Sequence, residues 1–309
     1  MFENRFRPYC IPIITGVEAI YYRTDLFSDK DVRNAYWERY ETEMKLPGSW
    51  SDYNRLTSFF TNFKSGDQFF TYGTMIESAD VVGLIGEFLP RQWAFNGSVL
   101  DAQGKPALST PANERALLNL CETYRCSDPV QLGRVRDEEI FAALLSGKIP
   151  MAIGFTNHYH PFSVQDKEYE NLIGIMPLPR DHALAGGYLM GISSNSKKYE
   201  ACKEFLRMVM SDYWSVAAMR MQGFIPTNAV YNNHHLSRKN PWMSLLERTV
   251  RHRCTREVVR DHMGNYISND EMDVLLSDMI MRAFRGEPVR DLLEETNNAL
   301  YDRIYLKNQ

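Results

Sequence analysis

No apolar run in this chain approaches the roughly 20 residues that a membrane-crossing helix needs. The opening Met1-Phe2-Glu3-Asn4-Arg5 also lacks the apolar centre of a secretion signal. The chain as it stands is therefore expected neither to span a bilayer nor to direct its own export. Excess basic charge is missing too: 35 Lys and Arg against 39 Asp and Glu leave a formal charge of −4. That balance offers no electrostatic footprint for a phosphate backbone, so nucleic acid is not an expected partner. Signatures of catalysis are equally scarce. There is no Gly-x-Ser-x-Gly elbow, phosphate loop or dinucleotide fingerprint, and Gly83-Leu84-Ile85-Gly86 is too short to count as one. His158, His160 and His182 lack the tight Cys and His spacing that structural zinc requires, and His234-His235 read as exposed loop residues. No metal or cofactor is expected. Cysteine is sparse and odd in number: Cys10, Cys121, Cys126, Cys202 and Cys254 fit small buried thiols better than a disulfide framework, with Cys121 and Cys202 on buried helix faces. Such usage favours a reducing compartment.

What is present is ordinary globular material. With 309 residues, 44% hydrophobic and 12% aromatic, the chain can build two domains around sizeable cores. Ser49, followed three residues later by Asp52, reads as a helix N-cap ahead of Tyr53, Leu56, Phe60 and Phe63 at helical spacing, with Trp50 in the first turn. Thr110 with Pro111 opens a second helix carrying Leu117, Leu120, Cys121 and Tyr124 on one face. Asp137 is expected to cap a third, with Glu138 and Glu139 in its first turn and Gly147 just past its end. Those acids are explained as helix-terminal charges before any catalytic role is needed. Ile149 to Gly154 and Leu189 to Ser194 fit short buried strands, and a capped helix is expected from Tyr199 to Met210. Strands alternating with helices imply an α/β lobe. Near the end, Met272, Leu275, Leu276, Met279 and Ala283 form one helical stripe, and Val289, Leu292, Leu293, Thr296, Leu300 and Ile304 another, broken by Gly286 and Pro288. Ser127 to Asp137 and Asn232 to Asn240 read as loops.

The most informative stretch is Gly186-Gly187-Tyr188-Leu189-Met190-Gly191-Ile192-Ser193, running into the helix at Tyr199. Glycine lets main chain approach a ligand closely because no β-carbon intervenes. Its weight comes from serial order. Ile11-Pro12-Ile13 and Glu18-Ala19-Ile20-Tyr21-Tyr22 precede Leu46-Pro47-Gly48-Ser49-Trp50, then Gly147-Lys148-Ile149-Pro150-Met151-Ala152-Ile153-Gly154, the glycine pair, and Gly223-Phe224-Ile225-Pro226-Thr227. In this order the chain resembles the carbohydrate-type extracellular solute-binding proteins of ABC importers, the relatives of maltose-binding protein. The resemblance covers nearly the whole chain, although no single motif in it is highly specific.

That resemblance implies a periplasmic-binding-protein-like, type II two-lobe α/β architecture. Residues 1–18 would be a hinge strand and a remnant of the N-terminal lobe, and 19–186 the C-terminal lobe. Residues 187–250 would supply hinge and N-lobe remnant again, and 251–309 helices closing the C-terminal lobe. In the family the match to Ile11-Pro12-Ile13 normally comes well into the chain, after a βαβ-rich segment; here it follows Met1 closely. The expectation is a truncated N-terminal lobe, either as a fragment of a longer polypeptide, then extracellular or a membrane-associated lipoprotein, or as a cytoplasmic descendant. Possible self-association follows, because the apolar face Cys202, Phe205, Leu206 and Val209 needs a cover, either from a second copy or from residues 211–250 folded unusually.

The resemblance also implies a ligand site and partners. Glu18 would accept hydroxyl hydrogen bonds, Tyr72 and Phe155 would present rings to a sugar face, and Asn157 and His158 would take its hydroxyls. Gly187 and Tyr188 would lie at the lobe junction, and Tyr266 after the last crossing. Relatives often carry tryptophan where this chain has Phe155, which argues for a ligand smaller or more polar than a long oligosaccharide. The expected function is non-catalytic capture of a small-molecule carbohydrate or similar solute in an interlobe cleft. The closed state would be received by an ABC permease or a signalling module. The alternatives are a cytoplasmic ligand-sensing domain of a transcriptional regulator and a glycoside hydrolase. The last needs two carboxylates held across the bond, and no acid pair stands out from the helix caps.

Overall fold

Two halves of one long strand, Cys10–Arg23, have opposite surroundings, and this division organises the molecule. The computed structural model describes residues 3–4, 7–8, 10–156, 172–220, 227–240, 243–245, 248, 256, 259–261 and 263–306. A short pair, β1 (Glu3–Asn4) and β2 (Arg7–Pro8), precedes this long strand, β3. Three helices follow, α1 (Thr24–Ser28), α2 (Lys30–Tyr40) and α3 (Trp50–Phe60), then a hairpin of β4 (Phe63–Ser65) and β5 (Gln68–Phe70). Next come α4 (Val81–Ala94), α5 (Pro111–Tyr124) and α6 (Asp137–Leu145), and strands β6 (Met151–Phe155), β7 (Ile173–Pro177) and β8 (Ala185–Gly191). The remaining helices are α7 (Tyr199–Val209), α8 (Asp212–Arg220), α9 (Asn228–Tyr231), α10 (His234–Lys239), α11 (Asn269–Phe284) and α12 (Val289–Tyr305).

The second half of β3 is central in its sheet. Residues Glu18 to Tyr22 pair antiparallel with Phe155 to Met151 of β6, while Ala19 to Arg23 pair antiparallel with Pro177 to Ile173 of β7. Val17, Ala19, Ile20 and Tyr21 are fully buried, as a strand covered on both faces must be apolar on both. The first half, Cys10 to Val17, pairs with β8 alone, forming a two-stranded ribbon that leaves the main sheet. Its register shifts between Pro12 and Ile14, where proline has no N–H to give the ladder.

Two hydrophobic cores support this frame. One gathers around the sheet, with Trp50, Tyr53, Phe59 and Phe60 of α3 and Phe141 of α6 against Val17, Ile20, Tyr21 and Ile153. The other is built from helices: Leu84, Phe88 and Leu89 of α4 and Leu117 and Leu120 of α5 meet the two C-terminal stripes, Met272, Leu276 and Met279 with Leu292, Leu300 and Ile304. Local signals start these helices where expected. The Ser49 hydroxyl accepts from the Asp52 N–H at 3.1 Å, and the Thr110 hydroxyl accepts from the Asn113 N–H at 3.4 Å ahead of Pro111.

Several expectations are corrected. Asp137 lies inside the first turn of α6; the cap residue is Arg136, whose N–H donates to the Glu139 carboxylate at 2.7 Å. Gly147 does follow the helix, at φ +72°, a left-handed conformation that suits glycine. Asn232 to Asn240 is not all loop. Asn233 caps α10 by accepting from His235 and Leu236, so His234 and His235 are exposed helix residues. β8 starts earlier than Leu189 and is largely exposed rather than buried. α7 forms as expected but without a side-chain cap, and it buries no residue, so Cys202 is half-exposed. Cys10, Cys121, Cys126 and Cys202 are free thiols, and Cys254 lies outside the described residues. Among the described residues no helix is long and apolar enough to cross a membrane.

Candidate functional site

The ribbon of β3 and β8 meets the sheet at Val17, Glu18 and Phe155, and this junction gathers several of the singled-out residues. Glu18 pairs with Phe155 across β3 and β6, while Val17 pairs with Ala185 across β3 and β8. The Val17 N–H donates to the Thr156 hydroxyl at 3.0 Å, and the Tyr21 hydroxyl donates to the Phe155 carbonyl at 2.9 Å. Gly186 allows the half-buried Phe155 ring to pack on the ribbon: a β-carbon there would stand 3.1 Å from the ring. Gly187 pairs with Thr15 and Tyr188 with Ile14, and the Tyr188 side chain is 67% exposed. The result is a half-buried ring packed on Gly186 and an exposed ring two residues further along β8, where two backbone segments run together.

Glu18 behaves differently from an open ligand contact. It is 3% exposed, its N–H donates to the Leu184 carbonyl at 3.1 Å, and its Oε2 accepts from the Leu184 N–H at 2.9 Å. Its Oε1 lies against Gly86 of α4, 2.2 Å from where a β-carbon would be. Burial raises the Glu18 carboxyl well above the usual carboxylate range; the Leu184 bond opposes this, Glu87 adds to it, and Arg91 opposes it again.

Glu87 and Arg91 were not singled out from the sequence, yet they lie beside the junction. Both are buried, with Arg91 Nη1 donating to Glu87 Oε2 at 2.8 Å, Nη2 to Thr123 at 3.1 Å and Nε to Asn119 at 3.3 Å. The guanidinium stacks over Trp50 at 3.9 Å. Burial also raises the Glu87 carboxyl, against the pull of Arg91. A third acid, Glu77, packs over Gly83 in the first turn of α4. Burial, followed by the charges of Asp137, Asp80, Glu87 and Glu138, pushes it up to about 8. The only signal for these three in the sequence is the Glu87–Arg91 spacing of one helical turn.

Tyr72 and Tyr266 make their contacts elsewhere. Tyr72 donates to Asp128 at 3.3 Å and lines a separate groove of about 650 Å³ with Phe69, Gln131, Glu139 and Lys148. Tyr266 lies under the Arg260 guanidinium at 3.8 Å and accepts its hydrogen bond, 70% exposed. Asn157 and His158 lie outside the described residues. A further groove of about 690 Å³ between α11 and α12 contains none of the candidate ligand-binding residues. Among the described residues no group of His, Cys, Asp and Glu is arranged to hold a metal ion.

Residues 5–243 match the family described as bacterial extracellular solute-binding protein. Solved structures share the fold. T. maritima MalE3 with maltose bound is 20% identical, at a TM-score of 0.74, over 96% of this chain and 73% of that one. An ABC transporter solute-binding protein from Agrobacterium vitis S4 with bound D-mannitol is 17% identical, also at 0.74, over 97% and 73%. UgpB from Mycobacterium tuberculosis, in complex with glycerophosphocholine, is 18% identical at 0.69, over 98% and 73%. No curated protein sequence matches the chain.

Proposed function

Since the chain belongs to the bacterial extracellular solute-binding proteins, we propose that it captures a carbohydrate or polyol reversibly and without turnover, beside the β3–β8 ribbon, for delivery to an ABC permease. The observation that carries this reading is the junction itself, where the Phe155 ring rests on Gly186 and the same strand presents the exposed Tyr188 two residues later. Rings of this kind pack on the C–H face of a sugar, and backbone freed of β-carbons supplies close polar contacts. The neighbours bind maltose, D-mannitol and glycerophosphocholine, each rich in hydroxyl groups or their esters.

In this reading the ribbon is a hinge, with residues 19–186 and 251–309 as one lobe and 1–18 with 187–250 as hinge and the other. Tyr188, Phe155 and Gly187 contact the solute, with Asn157 and His158 two and three residues after Phe155 in the chain. Glu18 acts from beneath as a positioning group, while Tyr72 and Tyr266 lie apart from the junction on their own segments. Two copies associate through α7. Calorimetry against maltose, mannitol and glycerophosphocholine, with product analysis of any hit, tests the capture. Heat without products is expected. Turnover that disappears in Glu138→Gln or Glu139→Gln would establish a hydrolase instead, and silence with every solute would leave a scaffold.

A further inference from the structure

The base of the β3–β8 ribbon is closed by a reciprocal pair of hydrogen bonds between Glu18 and Leu184, one of them made by a buried carboxyl group. Several described charged groups surround that carboxyl. From α4 it faces Glu87 and Arg91, from the segment before α4 Glu77, and from the segment leading into β8 the Leu184 backbone, with His182 two residues earlier. β6 contributes Phe155 and Thr156, which do not titrate. Tyr53 of α3 is buried nearby and tied to Thr74 at 3.1 Å. Glu87 and Glu77 both add negative charge around Glu18, and the guanidinium of Arg91 is already committed to Glu87, Asn119 and Thr123. Among the described residues, no cation is in hydrogen-bond or ion-pair contact with the Glu18 carboxyl.

We propose that the Glu18–Leu184 pair is a proton-operated latch, which holds the base of the ribbon shut while Glu18 carries its proton and lets it open when Glu18 ionises. A neutral carboxyl keeps its carbonyl oxygen on the Leu184 N–H and carries no charge to solvate. A carboxylate in the same place is a charge cut off from water beside two other acids. Opening at Leu184 hydrates it. The direction follows from linkage: a group whose folded value is raised stabilises the closed form below its ordinary value, and that contribution is lost as pH rises toward the raised one. Across that interval the opening equilibrium grows by up to about tenfold per pH unit. In the hinge reading this makes the crossing stiffer in acid and looser in alkali. The latch itself needs no solute, so it stands or falls separately from the identity of the ligand.

Hydrogen exchange of the Leu184 amide in the ligand-free protein, corrected for intrinsic exchange and followed from mildly acidic to mildly alkaline pH, reads the latch directly. The wild-type protection factor is expected to fall with rising pH, by up to about tenfold per unit. In Glu18→Gln, which keeps an acceptor oxygen but cannot ionise, it should stay flat. In Glu87→Gln the fall should move to lower pH, because an opposing charge is removed and Arg91 is freed. A pH-independent wild type overturns the latch. So does a slope that persists in Glu18→Gln, or one that vanishes only in Glu77→Gln.

Discussion

Tyr188 and Glu18 are neighbours at the junction but answer to different physics. The Tyr188 ring is mostly exposed, so its loss removes a contact surface without opening the core. Tyr188→Ala is expected to weaken solute binding by about 1–3 kcal/mol, as for an aromatic anchor, with an unchanged melting temperature. Equal affinities by calorimetry would take Tyr188 out of the site. Glu18→Ala leaves the buried Leu184 N–H without its acceptor, so it should cost about 1–3 kcal/mol of folding stability as well as affinity. Glu77 adds a pH signature. Its carboxyl, pushed up to about 8, stabilises the fold below the ordinary carboxylate value, and that contribution fades as pH rises through about 8. Melting temperature should therefore decline with pH across this window, and Glu77→Gln should flatten the decline. An identical slope in the variant would assign it to other groups. Position by position, the sequence made Tyr188 and Phe155 visible through the glycine pair and the strand before them. It hid Glu77, Glu87 and Arg91, because their roles come from burial and from neighbours distant along the chain.

Among the elements, α4 shows how tertiary contact overrides local preference. Gly86 lies inside a helix, where alanine is preferred by about 0.8–1 kcal/mol on propensity alone. A β-carbon there would nevertheless meet Glu18 Oε1 at 2.2 Å, and that carboxyl is held by Leu184. Gly86→Ala is expected to be net destabilising in urea unfolding, and combining it with Glu18→Ala should cost less than the two single changes added together. Additive costs would show that the two positions do not touch. The same contrast explains which elements could be read in advance. α3 and α5 begin at Ser49 and Thr110 because a hydroxyl three residues before an N–H is a local arrangement. α6 was displaced by one residue at its cap because three consecutive acids offer the same signal, and only the geometry selects Glu139. α10 is too short to show a repeat, and Asn233 alone marked it. The exposure of β8 could not be read at all, since an apolar, glycine-bearing run looks the same whether it is covered or not.

For the whole molecule, serial order carried the fold, because the order of crossings and helices survives where individual residues diverge to 20% identity. It did not carry the surroundings of α7. That helix presents Phe205, half exposed, with Tyr199 and Met208 also exposed, and α8 continues the surface with Tyr213 and Trp214. Phe205 is thus left half exposed by the described residues after α7. Contiguous apolar surface on this scale is uncommon on a soluble monomer. The proposed pairing of two copies would draw on charge as well as on polarity. Glu200 with Lys203 and Glu204 with Arg207 are already paired along the helix flanks, while Lys198 precedes α7 and Asp212 follows it. Opposite charges at the two ends of α7 would suit an antiparallel, self-complementary contact of the kind a two-fold interface requires. Sedimentation equilibrium at micromolar concentration should report a species heavier than 35.9 kDa, and Phe205→Glu should return it to that mass without changing the helical circular dichroism. A wild type that stays at 35.9 kDa at every concentration would rule out pairing through this face.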